Sequence, residues 1–173
     1  MDNSKKTKRK ILVTQALPYA NAPLHLGHIL EAVQSDIWAR FHNLNNNECL
    51  FFCADDTHGT PIMLKANEMG IKPEELIAEV YKDHESTYKL YDINFANFYS
   101  THSDENKKFS EYIYECAKNN NLISKASIEQ YYDKKEKIFL SDRYIKGICP
   151  KCGAEEQHGD NCGVCGASYD VLD

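Results

Sequence analysis

The chain has 173 residues, 42% of them hydrophobic and 27% charged, enough for one sizeable core or one core plus a small metal-stapled module. No apolar run approaches the roughly 18 residues a membrane span needs, and Met1 to Lys10 is basic without the apolar stretch of a secretory signal. A net charge of −6 excludes a protein that coats nucleic acid by electrostatics alone, while leaving room for a local basic face.

Residues 1–9 read as a flexible basic arm. Ile11 to Leu17 (ILVTQAL) is a β-prone run that enters a turn at Pro18 to Pro23. From Leu26 to Phe41 the spacing predicts a helix, with Ile29, Val33 and Ile37 four apart and Leu30 and Trp38 beside them. Leu50 to Ala54 (LFFCA) is a second buried strand. Pro61 to Met69 is a short helix, with Thr60 as N-cap, Pro61 as first residue and Gly70 as its stop. Pro73 opens a longer helix with Ile77, Val80, Tyr81, His84 and Tyr88 on one face. Ser103 caps a further helix whose stripe is Phe109, Tyr112, Ile113, Cys116 and Ala117. Alternating strands and helices predict an α/β class: βαβ units on a parallel, Rossmann-like sheet. Beyond Ile123, Ile128 to Tyr132 and Ile138 to Leu140 flank a charged turn, Asp133 to Lys137, which suggests a hairpin. The expected division is residues 10–121 for the sheet domain and 122–173 for a second module.

Leu17 to His28 (LPYANAPLHLGH) runs from a strand end through a turn into a helix start, the edge of such a sheet where ligands bind. The helix start offers free N–H groups and a positive partial charge to phosphate. His25 and His28 are three apart, so they share one side of the first turn and could donate hydrogen bonds to phosphate oxygens. Gly27 leaves room for a flat base against the backbone. Taken alone, the pair also reads as polar surface, or more weakly as a metal pair. After the second strand comes Asp55-Asp56-Thr57-His58-Gly59-Thr60-Pro61. Two adjacent acids there suit a ligand-facing loop, where a carboxylate can hold an ammonium group, or equally a solvated turn.

Of seven cysteines, Cys49, Cys53 and Cys116 are scattered among apolar residues and read as inert thiols. Cys149, Cys152, Cys162 and Cys165 form two knuckles, each with two residues between the sulfurs and a glycine behind. In a chain with no secretory signal this pattern points to zinc rather than disulfides. Four thiolates close a tetrahedral shell, so the metal is structural, one zinc per chain. His158 lies in the intervening loop and is read as a bystander.

The stretch Ala16-Leu17-Pro18-Tyr19-Ala20-Asn21 ahead of His25-Leu26-Gly27-His28 resembles the HIGH signature of class I aminoacyl-tRNA synthetases, in its methionyl-tRNA synthetase form. Asp55 to Pro61 resembles the same family's ADDxHGTP motif, and the cysteine module its zinc knuckle. Ser100 to Ser103 and Asp142-Arg143-Tyr144 also sit where the family has similar segments. The resemblance implies catalytic roles for His25 and His28 and an ATP site over Pro18, Tyr19, Ala20, Asn21, His25, Leu26, Gly27 and His28. It implies a methionine site from Ala16, Leu17, Tyr19 and Asp56. The implied reaction is ATP-dependent formation of methionyl adenylate and transfer to tRNA(Met), with magnesium accompanying ATP, in the cytoplasm. No KMSKS loop or anticodon-binding domain occurs in the 173 residues, so the chain is expected to be an N-terminal portion that is inactive alone. Two rival readings are another HIGH-motif nucleotidyltransferase and a non-catalytic zinc-ribbon binding module.

Overall fold

The computed structural model describes residues 8–135, 137–140 and 145–170. Most of the expected basic arm, Glu136 of the charged turn, and Asp142-Arg143-Tyr144 lie outside the described residues. Strand β1, Lys10–Thr14 (KILVT), owes its extended form to β-branched residues and half-buries alternate side chains. It runs parallel to β2, Glu48–Asp55, in the register Lys10↔Glu48 to Thr14↔Phe52. On the other side β2 pairs in parallel with β3, Asn97–Ser100. The sheet order is β1-β2-β3.

Parallel neighbours need long crossovers, and helices supply them. Between β1 and β2 runs α1, Leu26–Leu44; between β2 and β3 run α2, Thr60–Met69, and α3, Pro73–Leu90. The expected α/β class with a parallel sheet is the one observed. One core cluster joins Ile29, Ala32 and Ala39 of α1 to Cys49 and Phe51 of β2 and to Tyr88 and Ile93. A second gathers Ala20, Ile62, Ala66, Leu76, Ile77 and Val80 around α2 and α3. Cys49 and Cys53 are buried and Cys116 half-buried; burial pushes the Cys53 thiol up to about 12, which keeps it inert. No helix among the described residues is long and apolar enough to cross a membrane.

The structure corrects several local expectations. The first strand ends at Thr14, so Gln15 to Leu17 already belong to the site loop. Thr60 is the first residue of α2, not its cap: the cap position is Gly59, whose φ of 119° takes the chain into the helix. Gly70 does end that helix, in the left-handed conformation at φ 69°. The buried face of α1 is Ile29, Ala32, Asp36 and Ala39, while Ile37 is 61% and Trp38 47% exposed. The reason is polar. Asp36 accepts hydrogen bonds from Arg40 Nε (2.5 Å) and the Asn94 N–H (3.1 Å), turning the helix away from its apolar stripe. Helix α4, Asp104–Asn119, is capped as expected: Ser103 Oγ accepts from the Asn106 N–H at 3.2 Å. Its stripe of Phe109, Tyr112 and Ile113 is nevertheless exposed, and no residue of α4 is buried.

The chain divides into a unit Met1–Cys116 and a unit Ala117–Asp173. In the second unit the expected hairpin is reduced to a short antiparallel ladder, β4 (Tyr132–Asp133) with β5 (Ile138–Phe139). A further pair, β6 (Lys146–Gly147) with β7 (Gln157–His158), runs antiparallel at the base of the first cysteine knuckle.

Candidate functional site

At the C-terminal edge of the sheet the loops after β1 and β2 stay joined beyond their strands. Tyr19 and Asp56 form an isolated parallel bridge: the Ala20 N–H donates to Asp56 O at 2.8 Å, and the Asp56 N–H donates to Pro18 O at 2.9 Å. Above this bridge the Tyr19 hydroxyl donates to the His58 carbonyl. Leu17 is 42% exposed and Ala16 lies open beside it, its N–H held by Glu31 Oε1 of α1 at 2.8 Å. Asp56 is half-buried, and among the described residues its carboxylate has no hydrogen bond or ion pair.

His25 caps α1. Its Nδ1 accepts from the Gly27 N–H at 3.1 Å, and His28 Nδ1 accepts from the His25 N–H at 3.3 Å. The two rings stack, with centroids 3.7 Å apart and 16° between planes. A ring nitrogen that accepts carries no proton, so each neutral imidazole holds its hydrogen on Nε2. Neither Nε2 has a partner among the described residues, which leaves both free to donate to a ligand. Burial lowers the His28 pKa below 6.5, and His25 adds to the effect, so His28 is neutral at pH 7. Gly27 sits so close that an added Cβ would meet the His25 ring at 2.9 Å.

Behind these loops lies a buried histidine–aspartate pair. His84 of α3 and Asp55 at the end of β2 are both 0% exposed, with Nδ1 to Oδ1 at 2.8 Å. His84 Nε2 lies 2.9 Å from the Ala22 carbonyl in the loop ahead of His25. Asp55 therefore departs from the expected ligand-facing loop: only Asp56 faces outward. The β2 loop is fixed from its other side by Thr101. Its Oγ1 accepts from the Thr57 N–H at 2.9 Å and lies 2.8 Å from Thr57 Oγ1. The sequence placed Thr57 and Thr101 in two family-like segments but gave neither a role, because their contact joins residues 44 apart in the chain.

In the second unit the four cysteine sulfurs all lie within 4.8 Å of one another. Cys149 Sγ is 3.8 Å from Cys165 Sγ, and Cys152 Sγ is 3.6 Å from Cys162 Sγ. Four sulfurs around a zinc at about 2.3 Å would be about 3.8 Å apart, whereas a disulfide needs about 2.05 Å. The donor set and spacing fit a metal ion. The knuckles repeat one backbone pattern: the Gly153 N–H donates to Cys149 O and the Gly166 N–H to Cys162 O, each at 2.9 Å, with both glycines left-handed. The Cys165 N–H holds the Cys162 thiol down to about 6, against desolvation and with help from the Val164 N–H. His158 is not in the cluster.

The sequence pattern of the family described as "tRNA synthetases class I (M)" matches residues 11–173. The chain belongs to this family. It is 58% identical over 165 residues to the methionine–tRNA ligase of Leptospira biflexa serovar Patoc (strain Patoc 1 / Ames), covering 95% of the chain and 24% of that protein. With the methionine–tRNA ligase of Francisella tularensis subsp. holarctica (strain OSU18) it shares 57% over 162 residues, covering 94% and 24%. The chain thus spans about a quarter of the length of these relatives. Among solved structures, Mycobacterium tuberculosis methionyl-tRNA synthetase in complex with methionyl-adenylate aligns with TM-score 0.71 at 20% identity, covering 85% of the chain and 30% of that one. The leucyl enzyme AgnB2 of Agrobacterium radiobacter K84, in a ternary complex with tRNA and LeuAMS, aligns at 0.69 and 20%, covering 90% and 21%. Both share the fold.

Within this class I synthetase chain Gly59 is under two constraints. Its φ of 119° disfavours any side chain, and an added Cβ would run into the Tyr19 hydroxyl. Gly59→Ala should therefore cost about 1–3 kcal/mol and detach Tyr19 from His58. Denaturant melts with the Tyr19 environment followed by NMR check this; an unchanged midpoint and unchanged Tyr19 signals would count against the latch.

Proposed function

We propose that the complete protein is a cytoplasmic methionine–tRNA ligase, which activates L-methionine with ATP and passes the methionyl group to tRNA(Met) for translation. The observation that carries this reading is the Tyr19–Asp56 bridge. It sets an unpaired carboxylate and an aromatic ring at the same sheet edge as two imidazoles with free Nε2–H donors. The names of the two relatives, both methionine–tRNA ligases, support the choice of amino acid.

On this reading Asp56 accepts the ammonium group of methionine, a charge-assisted contact that places the amino acid. Leu17, Ala16 and Tyr19 offer apolar and aromatic surface to the thioether, whose sulfur favours aromatic neighbours. A methionine carboxylate oxygen then forms a bond to the α-phosphorus of ATP as the α–β bridging P–O bond breaks, and pyrophosphate leaves with the electron pair. His25 and His28 donate from Nε2 to phosphate oxygens as charge builds, beside the N–H groups of the α1 start. Pro18, Ala20, Asn21, Leu26 and Gly27 shape the backbone over which the nucleotide lies. Magnesium bound with ATP would neutralise part of the phosphate charge. In the residues 122–173 module, Cys149, Cys152, Cys162 and Cys165 would hold one structural zinc per chain, which closes the knuckles and leaves no open coordination position.

Asp56→Asn tests the assignment. It removes the charge but keeps the shape, and should raise the KM for methionine in ATP–pyrophosphate exchange by roughly 10–100-fold, the loss expected for one hydrogen bond to a charged group. An unchanged KM for methionine would remove Asp56 from the site.

A further inference from the structure

Each nitrogen of the His84 ring faces an acceptor. Nδ1 is 2.8 Å from Asp55 Oδ1 and Nε2 is 2.9 Å from the Ala22 carbonyl. A carboxylate and a carbonyl both need donors, and a neutral imidazole has only one. The carboxylate is fully buried, and its second oxygen, Oδ2, has no partner among the described residues. A carboxylate that is ionised and buried with so few donors is stabilised by a cation beside it.

We propose that His84 is a positioning residue for adenylate formation: a buried imidazolium that ties the end of β2, next to Asp56, to the loop that delivers His25 and His28. The proposal rests on the ligase reading above for its catalytic meaning, though not for its geometry. The amino-acid half of the site hangs on β2 and the phosphate half on the β1–α1 loop. His84 is bonded to both, through Asp55 and Ala22. It comes from a third element, α3, whose Ile77, Val80 and Tyr88 anchor it in the core.

The surroundings suit a cation. Asp55 and, on α3 itself, Asp83 favour the charge, and His28 of α1, whose pKa His84 helps to lower, adds no positive charge against it. Tyr81, Tyr88 and Cys53 near Asp55 are all raised by burial and stay uncharged, and the negative charge of Glu31 acts on Cys53, Tyr88 and His28. Burial works against protonation of His84, yet the bonds to Asp55 and Ala22 prevail and its pKa is raised above 6.5. A histidine raised on folding stabilises the protein fully below its unfolded value. That contribution is lost as pH climbs through the raised folded value.

Two substitutions separate the two bonds. Asparagine places an amide where Nδ1 stood and keeps a donor for Asp55; glutamine places one where Nε2 stood and keeps a donor for Ala22. His84→Gln should melt at the lower temperature, because it strips the buried carboxylate of its partner. His84→Asn should nevertheless be the variant that loosens the loop. There the Ala20 N–H, bonded to Asp56 O, and the Gly27 N–H, bonded to His25 Nδ1, should exchange with solvent about tenfold faster or more. In His84→Gln both should keep their wild-type protection relative to the rest of the sheet. A merely structural role would make exchange follow melting temperature, and that order would overturn the proposal. Independently, long-range ¹H–¹⁵N spectra of the wild-type chain with labelled histidine should show both His84 nitrogens protonated at pH 6.5. One bare nitrogen there would also overturn it. None of these readouts uses ATP, methionine or tRNA. A wild-type protein that lacks methionine-dependent exchange would therefore sink the ligase reading, while the spectra still decide the brace.

Discussion

In the complete protein, His25→Ala and His28→Ala should each slow methionine-dependent ATP–pyrophosphate exchange by about 10²–10³-fold, or about 2.7–4 kcal/mol, as for other lost oxyanion donors. The loss should fall on kcat and leave the KM for methionine nearly unchanged, because the donors engage charge that develops only as phosphorus is attacked. The geometry makes the two residues act as a unit. His28 Nδ1 is bonded to the His25 backbone, and the two rings stack at 3.7 Å, so removing either frees the other to turn. The double variant should therefore lose less than the product of the single losses. Unchanged turnover in both single variants would exclude the proposed roles.

Removing the metal should unfold the second unit. Among its described residues the buried apolar side chains are those of Cys149 and Cys162 alone, so almost no conventional core holds the knuckles together. In modules of this kind metal binding supplies about 10–16 kcal/mol at neutral pH, far more than two-residue strands such as β6 and β7 can. Protein prepared without chelators should contain one zinc per chain. A strong chelator, or Cys152→Ala, should erase the amide protection of Cys149, Cys162, Gly153 and Gly166 while the β1-β2-β3 sheet persists. Metal analysis that finds no zinc, or full zinc retention by Cys152→Ala, would defeat the assignment.

Much of the fold was legible because its signals are local. The β-branched run at Ile11 to Thr14, the proline openings of α2 and α3 and the serine cap of α4 each rest on neighbours in the chain. The cysteine knuckles were legible for the same reason: their pairing follows from spacing and from turns closed by Gly153 and Gly166. What escaped depends on partners far away. Strand β3 is only four residues with an exposed asparagine at its start, and it exists because β2 offers an open edge. The face of α1 turned because a buried Asp36 is paired with Arg40 and with Asn94, 58 residues later. His84 was counted in the apolar face of α3, where its spacing puts it. Nothing in the chain announces that Asp55, 29 residues earlier, lies against it. Asp55 and Asp56 look alike in sequence, yet strand alternation sends one into the core and leaves the other half-buried at the sheet edge.

The most direct test is a panel of ATP–pyrophosphate exchange assays on the complete protein, with each of the standard amino acids supplied alone. The site has an unpaired Asp56 carboxylate, the aromatic Tyr19 and the open apolar Leu17, grouped beside two Nε2–H donors. If it performs the proposed reaction, methionine alone should stimulate exchange strongly, and Asp56→Asn should weaken that response through KM. Stimulation by leucine or valine in preference to methionine, or no amino-acid-dependent exchange at all, would contradict the account.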